Sequence, residues 1–590
     1  QRQMCIRDRS IRYAKRWRIE PSDSAAYRRG ELVRPVKQLV FYIDSLMPVK
    51  WNPYIKAGAE SWNKAFEKIG FKDVICVKEF PKNDTLFNAN SFDCMTIRYS
   101  ASWLNSAQTT IHSDTRTGEI LNASILINAN MISVQYADRI GATVAIDPRV
   151  RTTVFPQEIQ GELIQAAIAQ AVGTGLGLTM NWGASCAYPV DSLRSASFTQ
   201  KYGLASSVMG GVIINDVATE EDVRNGVCLV NAKPGPYDEL VIKYLYQPIY
   251  ASSLQEEKET LDSWIREHTG DPYYAYIRNQ SRFDSDPRNS RGSLGDDHLK
   301  SFDYMLPNVR KGFENYYSWF AKEDRDFLMR RRVHSALSER LSGRIYAILS
   351  YIGGIYLNDI REKDAIPSYS MVDREKQKAA LSKALELAKN LDWVDDTAHL
   401  NEFEISDKKA DRLRLDIFNG IFGRLPYVEV CTERFPDAAY TASEYLDDIY
   451  GIVWEGVLKH RPLENFERAL QTAFLESIIS TSTATAPIGS FKASKTGFAA
   501  TGKPEINLAA LRNGGKVDMK MYSLQNAEEV AGFSSIPPIY TNQTKIAAYY
   551  FDLLMRTKDM LKKAISTAPE ADRSHYDLLI YRINKATEIE

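Results

Sequence analysis

The chain has 590 residues, of which 44% are hydrophobic and 25% charged, and its formal net charge is −1. This is ordinary globular composition, long enough for roughly two to four domains with ample core. The balanced charge gives no steering toward nucleic acid or an anionic membrane. No apolar run reaches the ~20 residues needed to cross a bilayer; the longest, 345–357, is interrupted by Gly353 and Gly354. The six cysteines form no C-x-x-C, so neither a zinc knuckle nor a redox pair is indicated. None of the seven histidines lies within a helical turn of another, so no local histidine-based metal site is visible.

Residues 1–10, Q-R-Q-M-C-I-R-D-R-S, carry no secretory apolar segment and read as a non-native scar, Cys5 included. Residues 11–35 are polar, basic and Pro-punctuated, a lead-in. The run L-V-F-Y-I within 38–43 suits a buried strand. Over 53–69, Tyr54, Ile55, Ala59, Trp62, Ala65, Phe66 and Ile69 recur at helical spacing, and Gly70 ends that helix. Residues 74–77 and 96–99 read as further strands, so the chain opens as an α/β layer with a mixed sheet. After a turn at 114–118, the imperfect alternation of Ile120, Ser124, Leu126 and Ile127 predicts a strand near a sheet edge.

A helix is predicted over 156–178, with Pro156 in its first turn and Glu158 and Glu162 near its N-terminus. Lys233–Pro234–Gly235–Pro236 is a turn that opens a helix at 239–246, and the domain boundary is placed near 250. The rest reads as mainly helical: 327–357, 373–391, 443–458 with a cap-like Ser443, 541–564 and 572–584. The run Arg330–Arg331–Arg332 is expected on a solvated helix face, and 480–503 reads as a loop. The predicted class is therefore α/β (α+β), with a mixed-sheet domain over 36–250 and a mainly helical region over 251–590.

The stretch 166–185, A-A-I-A-Q-A-V-G-T-G-L-G-L-T-M-N-W-G-A-S, organises the rest. Counted from Gln170, the offsets reach Ala171, Thr174, Gly177 and Met180, and Ser207–Val208–Met209 follows downstream. This is the spacing of H-E-x-x-H-x-x-G-x-x-H with a Met-turn. Ligands at i and i+4 share one helix face and can share one ion. The residue after the first ligand is the general base on a metal-bound water. The glycine turns the chain out of the helix so that a third ligand can return. Here Gln170, Thr174 and Met180 occupy the ligand places and Ala171 the base place.

The segments R-W-R-I-E-P (16–21), G-E-L-V-R-P-V-K (30–37), D-T-R-T-G-E-I (114–120), I-D-P-R (146–149), N-W-G-A-S-C-A-Y-P-V-D-S-L-R-S (181–195) and G-P-Y-D (235–238) flank that frame. In this order they resemble a family of large bacterial zinc-dependent metalloproteases with a metzincin-like catalytic domain. The family pattern is H-E-V-G-H-T-L-G-L-x-H-N, against Q-A-V-G-T-G-L-G-L-T-M-N here. Gly210–Gly211 also replaces an Asp-Tyr that family members usually carry.

The resemblance implies several expectations. The fold is metzincin-like, with vestigial ligand places at Gln170, Thr174 and Met180 and a scaffold at Gly177, Asn181 and Met209. Residues 11–35 lead in from a missing N-terminal domain. The compartment is periplasmic, cell-surface or secreted. An edge strand carrying Ile120, Asn122, Ser124 and Leu126 receives extended peptide. Zinc serves active family members, whereas no cofactor is expected for this chain. Three readings stand: an inactive homologue that binds an extended peptide or protein partner through its groove, a zinc-dependent endopeptidase or other hydrolase using ligands not visible in the sequence, and a structural subunit.

Overall fold

A computed structural model of the chain describes residues 14–81, 83–84, 86–104, 107–277, 285–289, 293–358, 366–399, 409–482 and 543–587. The segment 1–10 and all but the first residues of 480–503 lie outside the described residues.

Five strands, β1 (Leu39–Ile43), β2 (Ile75–Glu79), β3 (Met95–Ser100), β4 (Gln108–Ser113) and β5 (Ile120–Asn128), form one sheet in the order β2-β1-β3-β5-β4. The first four in that order run parallel, and β4 pairs antiparallel with β5. Leu39, Phe41 and Ile43 of β1 are buried, as alternation in a covered strand requires.

The expected edge position of 120–128 is corrected here. Ile120, Asn122, Ser124 and Leu126 lie on β5, which is flanked on both sides by β3 and β4. Its imperfect alternation comes from a bulge. Pairing passes from His112–Asn122 to Ser113–Ile120, which leaves Leu121 without a partner and 45% exposed. The true edge is β4, Q-T-T-I-H-S, which has no fully buried residue and so no apolar period to betray it.

Helices cover the sheet. The expected helix over 53–69 is two, Asn52–Glu60 and Asn63–Glu67, broken at Ser61–Trp62. A helix at Ala129–Thr143 was not anticipated. It follows β5 without a side-chain cap and buries Gln135 and Arg139 among its apolar positions, which blurs the stripe. Arg139 is held by Asp147 at 2.7 Å and Thr143 at 2.5 Å.

The predicted helix over 156–178 forms as Gln157–Gly175 and is hereafter the site helix. It is buried nearly all round because two cores share it. Ile164, Ala167, Ile168 and Val172 pack with the sheet, among them Phe41, Ile97 and Ile125. Ile159, Leu163 and Ala166 join a second core that runs through Phe302, Leu341 and Phe418 to Ile583. That second core crosses the boundary placed near 250.

Beyond it the described residues are mainly helical, with one small antiparallel pair among them, β6 (Ile355–Leu357) and β7 (Tyr369–Met371). The helix expected over 327–357 stops at Leu349, and Gly353 at φ +62° turns the chain into β6. The cap expected at Ser443 is Thr441, whose hydroxyl accepts from Glu444 N. Of the arginine run, Arg331 and Arg332 are exposed, but Arg330 is buried and pairs with Asp324 at 3.1 Å.

Candidate functional site

The site is built at the C-terminal end of the site helix. Leu178 N donates to Gly173 O at 3.1 Å and Gly177 N to Thr174 O at 2.9 Å, with Gly177 at φ +90°. This pair of bonds is a Schellman closure, and it needs a residue tolerant of the left-handed region at 177. A Cβ on Gly177 would also lie 2.1 Å from Lys15 O, because the lead-in passes directly against the turn. Arg16 and Glu119 form a bridge, and Trp17 Nε1 donates to Gly175 O at 2.9 Å. Tyr246 OH donates to Leu176 O at 2.6 Å. Residues 15–17 thus strap the helix end to the start of β5.

Gln170 and Met180 meet: Gln170 Nε2 lies 3.2 Å from Met180 Sδ. Thr174 stands one turn further along, its Oγ1 donating back to Gln170 O at 3.3 Å. All three side chains are half-buried. Ala171, at the base place, is buried. Its carbonyl accepts from Thr109 Oγ1 of β4 at 2.9 Å, which fixes the edge strand beside the site helix.

Met209 forms the floor. It is fully buried, and a Cβ on Gly173 would lie 2.5 Å from the Trp62 ring and 2.6 Å from the Met209 Sδ, so the site helix, Trp62 and Met209 pack closely at this glycine. Asn181 N donates to Met209 O at 3.0 Å. The Asn181 amide clamps a further segment, donating to Ala275 O at 2.9 Å and accepting from Ile277 N at 3.1 Å. Of the scaffold residues expected from sequence, Gly177, Asn181 and Met209 therefore sit around one turn.

The group that sequence reasoning missed is Asp238. It is fully buried, and its carboxylate accepts from Ser207 Oγ, from Val208 N at 2.9 Å and from Gly235 N at 2.9 Å. Burial lifts its carboxyl to about 7 against the pull of those three bonds. Its place three residues past Gly235 in G-P-Y-D was the available signal, a carboxylate able to cap the helix Pro236–Tyr246.

A family model described as Met-zincin matches residues 152–461, more than half of the chain. The chain belongs to the Met-zincin family. The match spans the site helix, the floor loop and the first part of the helical region. Neither the curated proteins nor the solved structures include a match to this Met-zincin.

The family name implies zinc. Zinc sites use imidazole, thiolate or carboxylate. The three ligand places offer a carboxamide, a hydroxyl and a thioether, and the carboxamide nitrogen already contacts the thioether. This donor set does not fit zinc. Among the described residues, no group of three His, Cys, Asp or Glu stands close enough to hold an ion, and no helix is long and apolar enough to cross a membrane.

Proposed function

We propose that this Met-zincin is a catalytically silent metallopeptidase relative that uses its groove to bind an extended peptide or a protein segment. The observation that carries the proposal is the contact of Gln170 with Met180 at two ligand places, beside Ala171 at the base place. General acid–base help is worth ~10²–10⁴-fold, and metal activation of water adds several kcal/mol. Both contributions are missing together, so no single repair restores turnover. Peptide binding is supported by β4, an antiparallel edge strand fastened to the site helix, where an added strand would pair. The proposed docking strand is therefore β4 and not the 120–128 segment.

Purified protein is to be assayed for bound metal and for cleavage of fluorogenic peptides with added zinc. The expected result is neither. Gln170→His, Ala171→Glu, Thr174→His and Met180→His combined should recover one zinc per chain, since the helix turn and floor are in place. A chelator-sensitive peptidase activity from the unaltered chain would overturn the proposal. For the binding half, amide exchange over residues 108–113 should slow when a tryptic casein digest is added. Unchanged exchange there at millimolar peptide counts against a retained groove.

A further inference from the structure

Asp238 sits where the floor loop and the next helix meet, and its three donors come from both. Ser207 Oγ and Val208 N belong to the loop that carries Met209, and Gly235 N to the helix entry. Ser207 Oγ also accepts from Met209 N at 2.9 Å, so a chain of bonds runs from the Met209 amide through the Ser207 hydroxyl to Asp238 Oδ1.

No cation pairs with Asp238 among the described residues. The titratable groups that sense it are Glu239 and Tyr237 on its own helix and Tyr188 on the segment packed against the floor. Burial raises both tyrosines, which stay neutral, and the loop residues Ser206, Ser207 and Val208 carry no titratable group. The carboxylate is thus held by hydrogen bonds alone in a fully buried place.

Protonation of this carboxyl reverses the direction of one of its hydrogen bonds. Ionised, Asp238 accepts all three bonds. Protonated on Oδ1, it becomes a donor to Ser207 Oγ, which already accepts from Met209 N and must redirect its own hydrogen. We propose that Asp238 is a proton-operated latch on the Met209 floor loop, holding it in one hydrogen-bonded arrangement when ionised and in another when protonated. The device rests on the loop geometry and is independent of whether the groove binds peptide.

The test uses the full chain with carbon-13 methyl-labelled methionine. The Met209 methyl resonance should move with a single midpoint near pH 7, whereas that of Met560, held by Tyr450 in the C-terminal helices, should not follow it. Asp238→Asn should abolish the Met209 movement. Ser207→Ala removes a donor to the charged form and should raise the midpoint by about one pH unit. This variant keeps the carboxylate and decides the matter if the asparagine variant does not fold. A Met209 resonance that is constant from pH 5.5 to 8.5, one that titrates unchanged in Asp238→Asn, or a midpoint that stays or falls in Ser207→Ala would overturn the latch.

Discussion

At the scale of single residues, Gly177 and Asp238 show two kinds of constraint. Gly177 combines φ +90° with a carbonyl 2.1 Å from any added Cβ. Left-handed backbone alone costs a non-glycine residue ~1–2 kcal/mol, and the clash with Lys15 O adds to it. Gly177→Ala should therefore lose at least about 2 kcal/mol in urea unfolding; a loss under ~0.5 kcal/mol would mean that the strap yields freely. Asp238 acts through pH. Its folded carboxyl is raised to about 7, against ~3.9 in an unfolded chain. The stability this group contributes is fully present below about pH 4 and is lost as pH rises through about 7. The stability of the native chain relative to Asp238→Asn should accordingly fall between pH 4 and 7 and level off above 8. A difference that grows with pH would contradict burial as the dominant cause.

At the scale of elements, the strap, the site helix and β4 behave as one assembly. Trp17→Phe keeps an aromatic ring, though a smaller one, and leaves Gly175 O without its donor, which should cost at least about 1–2 kcal/mol and speed amide exchange over residues 176–178. Unchanged exchange there would show that the Schellman bonds hold the turn without the lead-in. What the sequence made legible at this scale follows from where apolar residues must go. The strand Leu39–Ile43 and the site helix were readable because buried faces impose a period or a dense apolar run. The turn that ends the site helix was readable because φ > 0 demands glycine at 177. β4 was not, because an edge strand half open to solvent needs no apolar alternation. Nor could alternation place β5 inside the sheet, since pairing is a property of neighbours and the bulge at Leu121 disguised the pattern. Asp238 stayed hidden because its partners Ser207 and Val208 are thirty residues away in sequence.

At the scale of the whole molecule, the shared core, closely packed where Gly141 lies against Ala336, and a buried Asp216–Arg340–Arg344 cluster tie the two parts together. Asp216, on the loop beyond the floor, is fully buried and bonds to Arg340 at 2.6 Å and to Arg344 on the helix Leu328–Leu349. Burial pushes its carboxyl up, yet the two guanidinium groups outweigh this and hold it below the usual range. Arg344→Leu should leave Asp216 undercompensated and cost ~3–5 kcal/mol, with the sheet and helical parts still unfolding together in calorimetry. Two separated transitions in that variant would indicate that the ionic cluster, rather than the shared core, joins them.

The sharing of the site helix between two cores also bears on how the chain can be divided. A recombinant piece ending near residue 250 would retain the sheet but lose Phe302, Leu341 and Phe418 from the core to which Ile140, Phe155, Ile159, Leu163 and Ala166 belong. Those side chains are each 3% exposed or less in the full chain. Together they would form a contiguous apolar wall of the kind that drives self-association in solution. Such a piece should precipitate or elute as large assemblies on size exclusion, whereas a cut beyond residue 461, the end of the family match, leaves Phe302 and Leu341 in place to cover the wall.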